Sequence, residues 1–553
     1  MSYDEARAAL DEWRAAFPED PFASDEQLRA ILSRALKGKR RRALEESAST
    51  FARAVVAVVG PAAARYEQRA HLPELERYDG VGHRREAVSF DPAYHEAGAA
   101  VWASEAVALS RVPGRAYEQA TLLYLLSLEG EAGHACPATC TIGLARALRR
   151  RADAPVRERF LTPLVDPHYA RAQRGAQFLT EVQGGSDVGA NACVAVGEAD
   201  GTYRITGEKW FCSVADADQF FVTARVGDAP GTAGLGSFVV PRLLDGEPNG
   251  FTLRRLKDKL GTRGLASGEI DFADARAWPV GPVDEGFKTA VSVVLNTSRW
   301  MTAVGSTGIM RRAVLEARAY ARTRRAFGVT IDHFADVQRT LADMTAQWAG
   351  ALHLVFALTA LEDRVDDESA SEHDRLYHRF LVNAAKFVVS RQATSVVRAG
   401  IEVLGGNGTI EEFSVLPRLY RDAIVYESWE GTHNVLVAQV LHDLRRLAIL
   451  EVLEARLLVV LEGASDTELA DALRERLVAT LATVRRCRDD EEFGAWHFRD
   501  ALERLGLLAE AAYLAAAGEA PAAWHLLNVY ATLGYEAVSD AGLVARVSAL
   551  VGP

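Results

Sequence analysis

Apolar residues change their spacing twice along this 553-residue chain, and each change predicts a different kind of element. Up to about residue 172 they recur at helical intervals, as in the Ala- and Leu-rich segments 27–52 and 117–128. From 173 the pattern turns into short β-rich runs at 177–180, 203–206, 220–226, 237–240, 251–255 and 268–272, punctuated by Gly, Pro and Asp. Several short strands at such intervals predict a compact β-sandwich or barrel. Helical spacing returns near 285, in long segments at 285–326, 333–364, 371–404 and 433–462. Their length predicts a four-helix bundle, with the acidic stretch 362–371 as a loop joining two of its members. Ala/Leu-rich helices from 465 onward form a further unit.

The expected fold is therefore α+β and mainly α. An N-terminal helical domain (1–172) leads to a middle β domain (173–280), a helical-bundle domain (281–446) and a C-terminal helical extension (447–553). The strands do not alternate with helices, which argues against a doubly wound dinucleotide fold.

Composition narrows the function classes. The net charge of −12 argues against non-specific binding to nucleic acid or anionic membrane. The N-terminus lacks the apolar core of a secretion signal, and no uninterrupted apolar run is long enough to span a bilayer. Five cysteines with no regular framework point to reduced thiols and a cytoplasmic protein. Cys136 and Cys140 lie near His134, but no second ligand pair follows at zinc spacing, so no metal site is expected. The basic run Lys37-Gly-Lys-Arg-Arg-Arg42 reads as a solvated helix face or subunit contact, with phosphate binding as the alternative.

The stretch with the most chemistry is Tyr420-Arg-Asp-Ala-Ile-Val-Tyr-Glu-Ser-Trp-Glu-Gly-Thr-His-Asn434. Glu430 stands on a Trp-Glu-Gly-Thr corner, where Gly431 lets the backbone turn with little steric penalty. Trp429 can shield the carboxylate from water and raise its proton affinity, one way to build a general base. The same residues also suit a solvated helix end. Three more segments hold candidate chemistry: the Gly-rich turn in Leu179-Thr-Glu-Val-Gln-Gly-Gly-Ser-Asp-Val188, the run Gly207-Glu-Lys-Trp-Phe-Cys-Ser-Val214, and Arg324-Arg-Ala-Phe-Gly-Val329. A fourth is Glu402-Val-Leu-Gly-Gly-Asn-Gly-Thr409. Hydroxyls and backbone N–H groups in a Gly-permitted turn are suitable donors to phosphates.

In this order the four motifs and the corner resemble the acyl-CoA dehydrogenase superfamily, over about residues 80–445 and more weakly beyond. The resemblance implies a bound FAD. Thr180 and Ser186 correspond to contacts with the flavin ring and pyrophosphate, Phe211 to the aromatic packing position on the ring, and Ser213 to a hydroxyl at its edge. Many relatives carry Trp and Thr at those last two places. Arg324 and Phe327, with Gln338 following, correspond to residues that reach the FAD of a neighbouring subunit. Glu402, Gly405 and Gly406 correspond to a stretch approaching its adenosine half. Relatives mostly carry Gln at 402, so an acid there suits ribose or adenine better than diphosphate. Thr432 and Asn434 match further flavin contacts.

Glu430 falls on the family's catalytic carboxylate. Some relatives place the base on another helix, before an Arg; here that pair reads Ser298-Arg299, and Ser cannot serve as base without an activating partner. Arg299 is expected beside Glu430, tuning its charge. The implied reaction is α,β-dehydrogenation of an acyl-CoA-type thioester by a homotetramer or dimer, with electron-transfer flavoprotein as acceptor.

Segments such as Asp91-Pro-Ala-Tyr-His95, Glu131-Ala-Gly-His-Ala-Cys-Pro-Ala-Thr-Cys-Thr141 and Arg255-Leu-Lys-Asp-Lys-Leu-Gly261 are similar to the AidB-like, alkylation-response branch. That branch allows a second reading, a flavoprotein whose role is binding. Flavin oxidation of a small metabolite not attached to CoA shares the fold. DNA is not an expected partner, because residues 451–553 carry 9 Arg and no Lys against 17 Asp and Glu.

Overall fold

The computed structural model describes residues 2–529 and 540–551, and expectations for the rest of the C-terminal extension lie outside them. The chain forms two compact units. One comprises residues 54–126 and 131–301; the other comprises 1–53, 127–130 and 302–553.

The first unit is built on a seven-stranded mixed sheet. Tyr203–Ser213 pairs with Val194–Gly197 on one side and Ser267–Pro279 on the other. Val194–Gly197 meets Gln219–Arg225, which pairs antiparallel with Leu235–Pro241. The far end of Ser267–Pro279 then pairs back onto Leu235–Pro241 through Trp278 and Pro279. These five strands close a ring, so of the two architectures left open by the sequence the structure adopts the barrel. Phe251–Leu256 and Gly175–Phe178 extend it. Helices Ala135–Arg151 and Ala154–Leu164 cover it, packing Leu144, Leu148, Val156, Phe160 and Leu164 with Phe221, Val239 and Val280.

All six anticipated strands are present, with Tyr203–Ser213 and Ser267–Pro279 running well past their expected ends. Val194–Gly197 escaped notice because half its residues are Gly or Ala. The helical reading of the N-terminal region also missed an antiparallel hairpin, Glu74–Tyr78 with Arg84–Ser89; its charged, largely exposed residues carry no apolar alternation.

The second unit is helical. Asn296–Thr323 continues into it, and Ala335–Asp366 and Glu372–Leu404 are two long antiparallel neighbours. The first of these takes in the first half of the acidic stretch 362–371, as far as Asp366, and residues 367–371 form the expected loop to the second. Burial of Glu362 against His378, at 2.7 Å, carries the helix on to Asp366. A capping box between Ser371 and Asp374 then starts the next helix. The fourth expected segment is split. Leu416–Ser428 and His433–Arg446 flank the Trp-Glu-Gly-Thr corner, and the chain breaks at Leu447 before Ile449–Glu462. Thr467–Asp489, Glu491–Ala517 and Ala520–Val529 pack on from there. Similarly, 27–52 is two helices, Glu26–Ala35 and Gly38–Ala54.

Among the described residues two helices are long and apolar enough to cross a membrane by length and composition, Gly38–Tyr66 and Ala335–Asp366. The second is a core helix of its unit, with 89% of its apolar window buried.

Candidate functional site

Glu430 occupies the corner between Leu416–Ser428 and His433–Arg446. Its φ is +57° and that of Gly431 is +102°. A left-handed conformation at a non-glycine residue costs on the order of 1 kcal/mol, so the surroundings must hold it. They do so from three directions. The amino group of Lys386, wholly buried on Glu372–Leu404, donates to the carbonyls of Glu427 (2.8 Å) and Gly431 (2.9 Å). The Glu427 carboxylate is bound by His433 Nε2 (2.8 Å) and by the Thr394 hydroxyl, closing a side-chain clasp across the corner. Burial pushes the Glu427 carboxyl up, but the bonds from His433 and Thr394 outweigh it and leave it below the usual carboxylate range. The Trp429 indole stacks on Tyr426 at 4.6 Å.

Two buried polar atoms on this corner have no partner among the described residues, Trp429 Nε1 and His433 Nδ1. Thr432 is the N-cap of the following helix but makes no side-chain capping bond. Asn434 is exposed, and its Oδ1 accepts from Arg499 Nη1 on Glu491–Ala517 at 2.7 Å.

The nucleotide-type residues of this unit form a second group. Arg324 ends the Asn296–Thr323 helix, is exposed, and its guanidinium makes no hydrogen bond or ion pair among the described residues. Phe327 stands at the tip of the Arg325–Ala326/Val329–Thr330 hairpin, with φ +52° and 97% exposure. Gln338 is half-buried and donates to the Asp332 carbonyl at 2.8 Å, bracing the turn below. Glu402 is exposed at the end of Glu372–Leu404. At Gly405 (φ +63°) and Gly406 an added Cβ would meet nothing within 4 Å. Asn407 Nδ2 reaches the Tyr320 hydroxyl at 3.1 Å, bringing this glycine stretch to the helix that carries Arg324.

In the barrel unit, a buried ion pair organises the flavin-type loop. Glu181 Oε1 accepts from Lys209 Nζ at 2.7 Å, with both side chains buried. The same carboxylate accepts from the Ala192 N–H (2.6 Å) and Gln183 Nε2 (2.7 Å), and the Trp210 N–H donates to the Thr180 carbonyl (2.9 Å). The loop with half-buried Thr180 and exposed Ser186 is thus tied to the strand bearing Phe211 and Ser213. Opposite Glu269 that strand holds two residues, Trp210 and Phe211, against one. Such a bulge re-aims side chains; Phe211 emerges 42% exposed while Cys212 is buried. Ser213 Oγ lies 3.3 Å from Ser267 Oγ. Lys257 Nζ sits 3.7 Å over the Trp210 ring and 2.7 Å from Glu269.

Ser298 is buried and bonded to Gln177, at 3.0 Å to Nε2. Arg299 is buried beside it in sequence and belongs to the barrel unit, whereas Glu430 belongs to the helical one. His134 Nε2 lies 2.8 Å from the Tyr94 carbonyl, and the Cys136 and Cys140 sulfurs are 3.7 Å apart. No group of three or more His, Cys, Asp or Glu side chains suited to a metal occurs among the described residues.

The residue types fit an FAD. A guanidinium without a partner, open glycine backbone and exposed aromatics at strained or bulged positions are features a dinucleotide would cover. Lys386, the Glu427–His433 clasp, Lys209 and Arg499 were not read from the sequence as parts of the site; the signal present was that Glu181, Lys209, Glu427 and His433 all fall inside the quoted motifs.

The helical and barrel units with this residue set define a flavin-dependent oxidoreductase class. Family comparison agrees. The chain matches the models of the acyl-CoA dehydrogenase C-terminal domain over 284–444, the acyl-CoA dehydrogenase middle domain over 176–275, and the N-terminal domain of the adaptive response protein AidB over 14–171. The AidB protein of Escherichia coli K12 is 36% identical over 395 residues, covering 68% of this chain and 70% of its own. Acyl-CoA dehydrogenase family member 11 of Caenorhabditis elegans is 37% identical over 280 residues, covering 49% of this chain and 45% of that relative. The solved structure of Caenorhabditis elegans ACDH-11 in complex with C11-CoA superposes with a TM-score of 0.84 at 26% identity, over 96% of this chain and 90% of that one.

The chain belongs to the acyl-CoA dehydrogenase family, in its AidB-like branch. It is an oxidoreductase of acyl-CoA thioesters with FAD as its cofactor.

Proposed function

We propose that the protein removes two hydrogens across Cα and Cβ of an acyl-CoA thioester, with Glu430 as the base. The observation that carries this is the corner itself: a carboxylate at a left-handed residue, clamped on both sides by buried groups. The thioester carbonyl acidifies the α-hydrogen, and Glu430 takes that proton. Bound FAD supplies the acceptor for the β-hydrogen as hydride. The thioester oxygen gains negative charge as the proton leaves, and the backbone N–H of Glu430 donates to it. A preorganised donor of this kind is worth ~3–4 kcal/mol. Arg324, Phe327, Gly405 and Gly406 hold the FAD of a neighbouring subunit, which makes the working form a dimer or tetramer. Thr180, Ser186, Phe211 and Ser213 hold the flavin end. Electron-transfer flavoprotein is the acceptor proposed for the reduced enzyme, in the cytoplasm; none of the five cysteines is in a disulfide and all are buried, as suits a reducing compartment.

A DNA-binding role in the manner of an alkylation-response flavoprotein gains no support from the extension. Arg485 is paired with Glu454, Arg488 with Asp489 and Glu451, and Arg486 lies 3.7 Å over the Phe493 ring. The carboxylates beside Arg485 and Arg488 offset much of the field these two would offer a phosphate.

The test is anaerobic titration of the FAD-loaded protein with a panel of acyl-CoA thioesters, read as flavin bleaching. Bleaching by at least one thioester, cut to a slow residual rate in Glu430→Gln with FAD retained, supports the reading. Absence of bleaching by every thioester overturns it.

A further inference from the structure

Lys386 is a costly residue to place where it is. Its side chain carries high rotamer entropy and a polar head, and it is wholly buried in the middle of Glu372–Leu404, between Ala385 and Phe387. Helix ends seldom need such a device. The carbonyls that end Leu416–Ser428 could be met by water or by a glycine-type cap. Here one amino group meets one of them, that of Glu427, together with the carbonyl of Gly431, and the two bracket Glu430.

A bond to Glu427 alone would cap the helix. The bond to Gly431 has no such explanation, because that residue lies beyond the helix end and before the N-cap of the next one. Holding both oxygens on one nitrogen fixes the span between them, and the residues inside that span include the one with φ +57°. The same helix reaches the corner again two turns later, where the Thr394 hydroxyl binds the Glu427 carboxylate.

We infer that Lys386 is the positioning residue of the base: it sets the aim of Glu430 by clamping the backbone on both sides of it, without touching the reacting atoms. This rests on the reading of Glu430 as base. It assigns a catalytic consequence to a residue 44 positions away that carries no reactive role of its own.

The experiment uses the FAD-loaded enzyme, with flavin reduction followed anaerobically after mixing with the best acyl-CoA of the panel. Lys386→Met keeps length and volume while removing the donors. The expected result is a fall in the reduction rate on the order of 100-fold, the size that a displacement of about 1 Å produces in an oriented reaction. The dissociation constants of FAD and acyl-CoA should stay within about threefold, since such a displacement acts on the reaction geometry and not on binding. In a Glu430→Gln background, Lys386→Met should cost nothing further, because the group being aimed is already absent. Lys386→Gln, which retains a donor, should lie between wild type and Lys386→Met, and it serves if the Met variant does not fold. Reduction at the wild-type rate in whichever variant folds overturns the inference. So does an equal loss in the Glu430→Gln background, which would mark Lys386 as merely structural. Full activity of Glu430→Gln alone overturns the base assignment instead, so the two failures are distinguishable.

Discussion

Arg499 donates through Nη1 to Asn434 Oδ1 at 2.7 Å, so a helix of the C-terminal extension grips the residue four positions beyond Glu430. The C-terminal extension is therefore in contact with the corner that carries Glu430. Arg391 and Glu503 make a second tie between the same two helical layers, at 2.6 Å. Removing the Arg499 side chain frees Asn434 to rotate. Arg499→Ala should weaken FAD binding by about tenfold, the loss of roughly one charge-assisted hydrogen bond. Fluorescence titration of the apoprotein with FAD checks this, and an unchanged dissociation constant confines Arg499 to packing.

The Glu181–Lys209 pair should behave as a buried pair does when one partner is lost. Lys209→Met leaves an uncompensated carboxylate inside the barrel and should destabilise it by about 3–5 kcal/mol. Most of that loss should vanish in Glu181→Leu/Lys209→Met, since replacing both charges by apolar groups is often near neutral. FAD content should nonetheless remain low in the double variant, because Glu181 also holds the Ala192 and Gln183 donors of the loop. Denaturant melts and the flavin-to-protein absorbance ratio separate the two effects.

Phe327 is 97% exposed and meets the Phe334 ring edge-on at 6.2 Å, so Phe327→Ala should leave the melting temperature of the apoprotein within about 1 °C, as surface changes usually do. It should still raise the FAD dissociation constant and shift the oligomer toward smaller species as protein is diluted. Analytical ultracentrifugation with and without FAD reads both. A normal oligomer and normal affinity would remove Phe327 from the cofactor site.

Glu510 predicts a pH effect remote from the corner. It is wholly buried, its Oε2 accepts from Gln392 Nε2 at 2.8 Å, and its Oε1 has no partner among the described residues. Burial pushes its carboxyl up to about 8. A folded-state value raised above the unfolded one means the folded form binds the proton more tightly. That contribution is complete below the unfolded value near 4.5 and is lost as pH rises to about 8. Glu510→Gln should thus be more stable than wild type at pH 8 and above, with the difference shrinking toward pH 5. Thermal melts across that range decide it; parallel curves for the two proteins would contradict the assignment.

Periodicity gave the layers of this protein in order because helices and strands leave local traces, and the strand runs near 205, 222 and 238 each lie within an observed strand. The hairpin at Glu74–Tyr78 left none, as its residues are charged on both faces. At the site, the motif residues were legible through a family likeness, and their neighbours were not. Lys386 bonds Gly431 across 45 positions and Arg499 bonds Asn434 across 65. A lone Lys in an apolar helix, or an Arg in an acidic one, has no local pattern that names its partner. The split of 433–462 at Leu447 was hidden for a related reason: apolar spacing continues across the break, and no Pro or Gly marks it.

The corner clamp reads only oxygen atoms of the main chain, and every amino acid supplies those. Residues 428, 429 and 430 can therefore be exchanged without altering what Lys386 holds. A lineage built on this clamp is free to change the shield beside the carboxylate, or to move the acid elsewhere, while inheriting the same bend. Divergence of substrate among such proteins requires no change of scaffold, and the corner becomes a socket into which different chemistries are fitted.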